Sequence, residues 1–278
     1  MKLMRNLLAA AGITVGTYLF LAAPDPSRRD ETVPDRLAHR GLHDGSVPEN
    51  SLASFRAARQ EGLGVELDVQ YTLDRKVVVF HDENLKRMCG IDRDLKDMTY
   101  DELRELRLKD TDERIPLFSE VLQVLSPLPV LCEIKPYLGN SNTEICPEVL
   151  DYLTGYDGFM CVESFSPAIV AWFRKNAPRV MRGQLAMKDL AGWKGKDLVI
   201  RLLLYSLTTN VVARPHFISF RYTDNSPGLA VCRLFGVPTF AWSPKGAAEV
   251  AMARRSFDTV IFEKGGDSLE EVFPEDTV

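Results

Sequence analysis

From Leu37 onward, short apolar runs alternate with stretches patterned for amphipathic helices, and that alternation restricts the chain to the α/β class. The strand-like runs are Leu37–Arg40, Val65–Val69, Val130–Ile134, Phe159–Val162, Val180–Gln184, Phe217–Phe220, Thr239–Trp242 and Val260–Phe262. Between them, Ser51–Glu61 sets Leu52, Phe55 and Ala58 on one helical face, with Gly62 placed to stop it. Leu117–Leu125 and Pro167–Asn176 have the same helical period, the latter with a proline in its first turn. Eight strands over this length suit a TIM (β/α)8 barrel, which typically runs to about 250 residues. A doubly wound open sheet is the alternative, but no glycine-rich phosphate loop follows the first strand.

One connection departs from the pattern. Only Gln70 to Lys76 separate Val65–Val69 from a second apolar run, Val77–His81, which is too short for a helical crossover. A hairpin turning near Leu73-Asp74-Arg75 is expected, with Asp68 opposite His81 and the return arm extra to the eight strands. Residues 83–115 read as a polar insertion over the catalytic end. It carries one helix, capped by Thr99 and Glu102 ahead of Leu103, Leu106 and Leu108.

The N-terminus stands apart. Lys2 and Arg5 precede an uncharged run from Leu7 to Ala23, which as a helix would span about 25 Å. That is slightly short of a hydrocarbon core, and Phe20 or Leu21 would spoil a signal-cleavage site. The expectation is therefore an uncleaved single-pass transmembrane anchor rather than a removed signal. Flanking basic residues tie, so orientation is open, with an extracytoplasmic domain slightly favoured. Residues 1–23 are then anchor, 24–36 a Pro- and charge-rich extended linker, and 37–278 the barrel domain. A net charge of -5 offers no basic footprint for nucleic acid. The five cysteines are scattered and never form a CxxC pair, so all are expected reduced, with no structural zinc site. Oligomeric state is not legible.

Three strands end in ionisable residues. Ala38-His39-Arg40-Gly41 ends the first; Glu66 and Asp68 share a face of the second; Glu133 and Lys135 share a face of the third. In a barrel such groups converge on the C-terminal mouth. Three facing carboxylates call for a cation, and an all-oxygen set favours Mg²⁺ or Ca²⁺ over zinc. His39 and His81 border the same place and suit proton transfer, while Arg40 and Lys135 could hold a phosphate. That combination points to cleavage of a phosphodiester.

His39-Arg40-Gly41, Pro48-Glu49-Asn50-Ser51, Glu66-x-Asp68, Phe80-His81-Asp82 and Glu133-x-Lys135 resemble, in order and spacing, the glycerophosphodiester phosphodiesterase family. Glu163-Ser164-Phe165 and the strand ending at Trp242 resemble later landmarks. The resemblance implies a metal bound by Glu66, Asp68 and Glu133. It also implies attack by the glycerol hydroxyl to give a cyclic phosphate that water opens, with His39 expected as base and His81 as acid. Two departures stand out: Glu163 where the family usually has Gln, and Phe262-Glu263 where it often has Thr-Asp. Neither is expected to touch the metal or the histidines, so they bear on substrate fit.

Single residues have plainer readings. A lone Glu-x-Asp is usually a solvated strand face, and Glu133 with Lys135 could be a surface ion pair. His43 reads as a solvated loop residue, and His216, at a strand start, lies at the wrong end for chemistry. Asn50 and Ser51 read as helix caps. Phe165 and Trp242 could pack against a glycerol or lipid moiety or belong to the core. The expected substrate is a small-molecule or lysolipid phosphodiester. A phosphodiester lyase and a membrane-tethered binding module remain as alternatives.

Overall fold

A computed structural model describes residues 12, 14–137, 141–188 and 195–274. Among the described residues nine strands form one sheet: β1 (Arg36–His39), β2 (Val65–Tyr71), β3 (Val77–Val79), β4 (Val130–Ile134), β5 (Met160–Ser164), β6 (Arg182–Ala186), β7 (Phe217–Arg221), β8 (Thr239–Lys245) and β9 (Thr259–Glu263). All but β3 run parallel, and β1 pairs with both β2 and β9, so eight strands close into a barrel. The helices outside it are α1 (Leu52–Gln60), α2 (Phe118–Leu125), α3 (Cys146–Gly155), α4 (Pro167–Asn176), α5 (Gly195–Tyr205), α6 (Pro227–Leu234) and α7 (Gly246–Ala253), with one-turn elements between.

A repeated two-residue step builds the interior. Leu37, Leu131, Cys161, Phe217, Phe240 and Ile261 form an apolar cluster nearer the strand starts. Two positions further along the same strands stand His39, Glu133, Glu163, Ser219, Trp242 and Glu263. Because side chains alternate across a strand, the second set projects to the same side as the first, one layer nearer the C-terminal mouth. The intervening residues, such as Val130, Cys132, Val162, Ile218 and Val260, face the helices in the main core. Gly183 on β6 leaves space for the Phe217 ring, since a Cβ there would lie 2.1 Å from it.

The helices start and stop as the sequence patterns require. Ser51 caps α1 through Ser54, Phe55 and Ala58 are buried, and Gly62 at φ 66° ends the segment. Ser166 caps α4, whose Ile169, Val170 and Phe173 pack on the barrel.

Several expectations are corrected. The β2–β3 hairpin forms, but its register pairs Val69 with Val79 and Gln70 with Val78. Asp68 therefore lies opposite Phe80, whose N–H donates to the Asp68 carbonyl at 3.0 Å, and His81 falls one residue beyond. The turn centres on Asp74, with Arg75 at φ 58°. In the insertion, the Thr99–Glu102 capping box is present, yet its helix is only Tyr100–Leu103, and a second short helix, Lys86–Cys89, precedes it. Leu85, Met88, Leu95, Leu103, Leu108 and Ile115 give the insertion its own apolar cluster against Val78 and Phe80. All five cysteines are free.

At the N-terminus, residues 14 to 22 are helical. Among the described residues no helix is long and apolar enough to cross a membrane. The transmembrane span expected over 1–23 is thus not found there, and residues 1–11 and 13 of it lie outside the described residues. The run ends docked on the barrel. Tyr18 donates to the Ser206 carbonyl at 2.9 Å, and Asn210 donates to the carbonyl of buried Ala22 at 2.8 Å. Nor does the stretch that follows stand off as a spacer, because Asp25 pairs with Arg182 at 3.1 Å and His216 at 3.4 Å.

Candidate active site

β2 sits between β1 and β4 and also carries β3, so its two carboxylates meet groups from three neighbours. Glu66, Asp68 and Glu133 are 3%, 0% and 7% exposed, and each offers an oxygen within 4.8 Å of the others'. At an effective dielectric of about 20, unit charges at that spacing repel by roughly 3.5 kcal/mol per pair. Burial and the Asp68 charge raise the Glu66 carboxyl well above the usual range. Burial also raises Glu133, to about 7, against the pull of Lys135. Burial works on Asp68 too, but Lys135 and Arg40 outweigh it and hold that carboxyl far below the ordinary value. A dication among three buried carboxylates would relieve this strain. The all-oxygen donor set fits Mg²⁺ or Ca²⁺.

Each histidine has a carboxylate of its own. His39 Nδ1 lies 3.0 Å from Glu263 on β9, and its Nε2 faces Glu66 at 3.8 Å. His81 Nδ1 lies 2.7 Å from Asp82, which Arg87 of the insertion grips through both oxygens. Burial lowers both histidines, His81 to about 4 with Lys135 and Arg40 adding to the effect. Glu263 stays ionised, held down to about 2 chiefly by its hydrogen bond with His39. The view that Glu263 would not touch a histidine is therefore corrected.

The two cations expected to hold phosphate turn onto the carboxylates. Lys135 Nζ lies 2.6 Å from Glu133 and 2.9 Å from Asp68. Arg40 pairs with Glu49 at 2.7 Å and approaches Asp68 at 3.4 Å, while its backbone N–H donates to Glu66 at 3.1 Å. Arg40 takes φ 55°, and Gly41 follows at φ 78°, where a Cβ would lie 2.5 Å from Ser54 Oγ. Glycine is thus required for the chain to leave β1 this way.

Three groups join the site that had no place in it from the sequence alone: Asn50, Glu49 and Glu163. Asn50 was read as a cap; it instead takes φ 54° and donates to Asp68 Oδ2 at 2.8 Å, fully within the protein. Asn tolerates that left-handed conformation better than most residues. Glu49 joins Arg40 to Arg87. Glu163 pairs in register with Glu133, hydrogen-bonds Ser219, and is pushed up to about 8 by burial. β5 continues through Ser164, past the expected end at Val162, which aims Glu163 inward. An acidic residue directly after the apolar run Phe159–Val162 was the available signal for it.

His39, Arg40, Glu66, His81, Glu133 and Glu163 line a cavity of about 50 Å³ together with Phe165, Leu185, Trp242 and Ile261. Phe165 and Trp242 meet edge to face, 5.8 Å between centroids. His43 is half-buried beside His39 and Glu263 rather than solvated. His216 packs at the opposite end of the barrel, as its place before β7 predicts. A larger cleft of about 500 Å³ near Pro34, Gly64 and Pro129 lies at the strand starts, away from these groups.

Residues 39–214 match the profile of the glycerophosphoryl diester phosphodiesterase family. The chain belongs to that family. It is accordingly a phosphoric diester hydrolase, built on the TIM-like barrel that its solved relatives share. A glycerophosphodiester phosphodiesterase of Caldanaerobacter subterraneus is 28% identical over 221 residues, 74% of this chain and 84% of that one. A human lysophospholipase D is 32% identical over 145 residues, 46% of each chain. The glycerophosphodiester phosphodiesterase structure from Thermotoga maritima superposes with a TM-score of 0.63 at 28% identity, covering 84% of this chain and 96% of that one. An Oleispira antarctica phosphodiesterase in complex with sn-glycerol-3-phosphate shares the fold, with a TM-score of 0.68 at 22% identity over 85% and 95% of the two chains.

Proposed function

We propose that the protein converts glycerophosphodiesters to an alcohol and glycerol 3-phosphate, using a divalent cation held by Glu66, Asp68 and Glu133 and protons moved by His39 and His81. The observation that carries this reading is the pair of histidine–carboxylate dyads, His39–Glu263 and His81–Asp82, flanking one buried carboxylate cage. The cation, when bound, would supply positive charge to the phosphate and to the attacking hydroxyl.

The dyads support a division of labour between the two ring nitrogens. With Nδ1–H donated to Glu263, His39 keeps its Nε2 lone pair toward the cage, where it accepts the proton of the glycerol hydroxyl beside the ester. That oxygen attacks phosphorus, the bond to the leaving alcohol breaks, and His81 gives the alcohol a proton. Water then opens the cyclic phosphate with the roles reversed: His81 takes the proton of water and His39 returns one to the glycerol oxygen. His81 must enter the first step protonated. Burial, Lys135 and Arg40 oppose that, and the negative phosphate favours it. Arg40 and Lys135 offset the charge of Glu49, Asp68 and Glu133, which lessens the repulsion an entering phosphate meets.

A lysophospholipase D variant of the same reaction is supported by the human relative's name and by the aromatic pair Phe165 and Trp242 lining the cavity. Attachment to a membrane by the N-terminal apolar run belongs to the same proposal, supported by the uncharged stretch from Leu7 to Ala23 behind Lys2 and Arg5; the tied basic flanks leave the side open, with the extracytoplasmic one slightly favoured. The test is phosphorus NMR of glycerophosphocholine and a lysophospholipid under turnover with Mg²⁺ or Ca²⁺. Accumulation of glycerol 3-phosphate supports the hydrolase. A cyclic phosphate as the final product would make the protein a lyase, and no consumption of either compound would reject the proposal.

A further inference from the structure

Beside the carboxylate cage, three groups form a second constellation of different chemistry. One nitrogen of His39, one of His43 and a carboxylate oxygen of Glu263 all lie within 4.8 Å of one another. His43 Nε2 is buried with no hydrogen-bond partner, although a buried ring nitrogen ordinarily has one. The three come from β1, the loop after it, and the end of β9, which pairs with β1, so the barrel wall holds two of them in place. We propose that His39, His43 and Glu263 form an inhibitory site for a borderline-soft transition-metal dication, zinc being the ion it fits.

The donor set discriminates between ions. Two imidazoles and one carboxylate suit zinc, which binds such sets tetrahedrally with bonds of about 2.0–2.1 Å, whereas Mg²⁺ and Ca²⁺ take oxygens. Bonds of that length place tetrahedral ligand atoms about 3.4 Å apart. His39 and Glu263 stand at 3.0 Å and need to open by about 0.4 Å, while His43 closes in from within 4.8 Å. His43 lies on the loop past Gly41, where the chain has left the strand. Two cations oppose a metal here: Arg40, whose charge acts on both rings but is paired with Glu49 and Asp68, and Lys245, 3.4 Å from the other oxygen of Glu263, whose side chain is 63% exposed and can move to solvent. Lys264 is engaged with Asp44 at 3.5 Å.

Inhibition follows from the chemistry of imidazole. A neutral ring has one lone pair and one N–H. If zinc takes the Nδ1 lone pair of His39, the proton must sit on Nε2, and that nitrogen can no longer accept one from substrate. This consequence rests on the role proposed for His39; the binding itself does not.

The test uses the full chain with Mg²⁺ present. Zinc is titrated while turnover of glycerophosphocholine is followed, and zinc binding is measured separately by calorimetry. The wild type should bind one zinc in addition to any at the carboxylate cage and lose activity in step, with raised Mg²⁺ giving no relief. His43→Ala should keep basal turnover but need at least ~10-fold more zinc for both binding and inhibition, since even supporting groups around a metal are worth 10–100-fold. His43→Cys, which supplies a thiolate ligand, should restore tight binding and separates loss of a ligand from loss of the fold. Equal zinc sensitivity in wild type and His43→Ala, or full relief by Mg²⁺, would overturn the site. Zinc bound through His43 without inhibition would instead overturn the role given to His39. A wild type inactive on every diester leaves the binding measurement to decide the site alone.

Discussion

Replacing Glu263 by Gln tests whether the His39 dyad does chemistry. The carboxylate accepts from His39 Nδ1 at 3.0 Å, and its side chain is only 21% exposed, so solvent does little to weaken the contact. A hydrogen bond to a charged acceptor contributes about 1.5–3 kcal/mol. If that bond serves the transition state, its loss should lower kcat by roughly 10- to 150-fold, at 1.36 kcal/mol per decade. Gln can also turn its NH₂ toward Nδ1, which would move the ring proton to Nε2 and remove the base. The pH profile gives a second readout. Glu263 raises the His39 pKa through its hydrogen bond and its charge, so removing it should shift the acidic limb of kcat/KM to lower pH. Steady-state kinetics from pH 5 to 9, with melting temperature as a control on folding, would show both effects. A variant within twofold of wild type and with an unmoved acidic limb would refute the dyad's role.

Further outcomes are expected. Asn50→Ala removes the hydrogen bond to Asp68 and should weaken Mg²⁺ affinity by about 10- to 100-fold with little change in saturated kcat, read from Mg²⁺ titrations. Because Glu133 is raised to about 7, Mg²⁺ must displace a proton below that pH. Its apparent Kd should therefore rise as pH falls through 7, and the thermal shift given by a fixed Mg²⁺ concentration should shrink. Arg87→Ala should lower kcat by freeing Asp82, while leaving zinc and Mg²⁺ binding intact by calorimetry. Burial and Arg182 hold His216 at about 4 against an ordinary 6.5. The unfolded chain then binds the proton first as pH falls, so stability declines from pH 6.5 toward 4. That group accounts for at most about 3 kcal/mol, and His216→Asn should flatten the decline in denaturant midpoints.

The sequence made the barrel legible because strand and helix periods differ, and β1, β4, β5, β7 and β9 each follow an apolar residue with a polar one two positions later. It also made His39, Glu66, Asp68, His81 and Glu133 legible as candidates, since each ends or follows an apolar run. What it hid depended on contacts between distant segments. Glu263 meets His39 only because β9 closes the barrel against β1. Asn50 reaches Asp68 through a left-handed backbone conformation that no local pattern announces. The hairpin register slipped by one because the turn centres on Asp74 itself rather than between two residues. The apolar N-terminal run looked the same as an anchor whether or not its end packs on Ser206 and Asn210.

The most direct test of the metal cage is glycerol 3-phosphate release from glycerophosphocholine by wild type and Glu66→Ala, each in Mg²⁺, Ca²⁺ or chelator. The cage predicts wild-type release that chelator abolishes and added metal restores, with Glu66→Ala inactive or needing far more metal. Release that persists in chelator, or a Glu66→Ala variant as active as wild type at the same metal concentration, would contradict it.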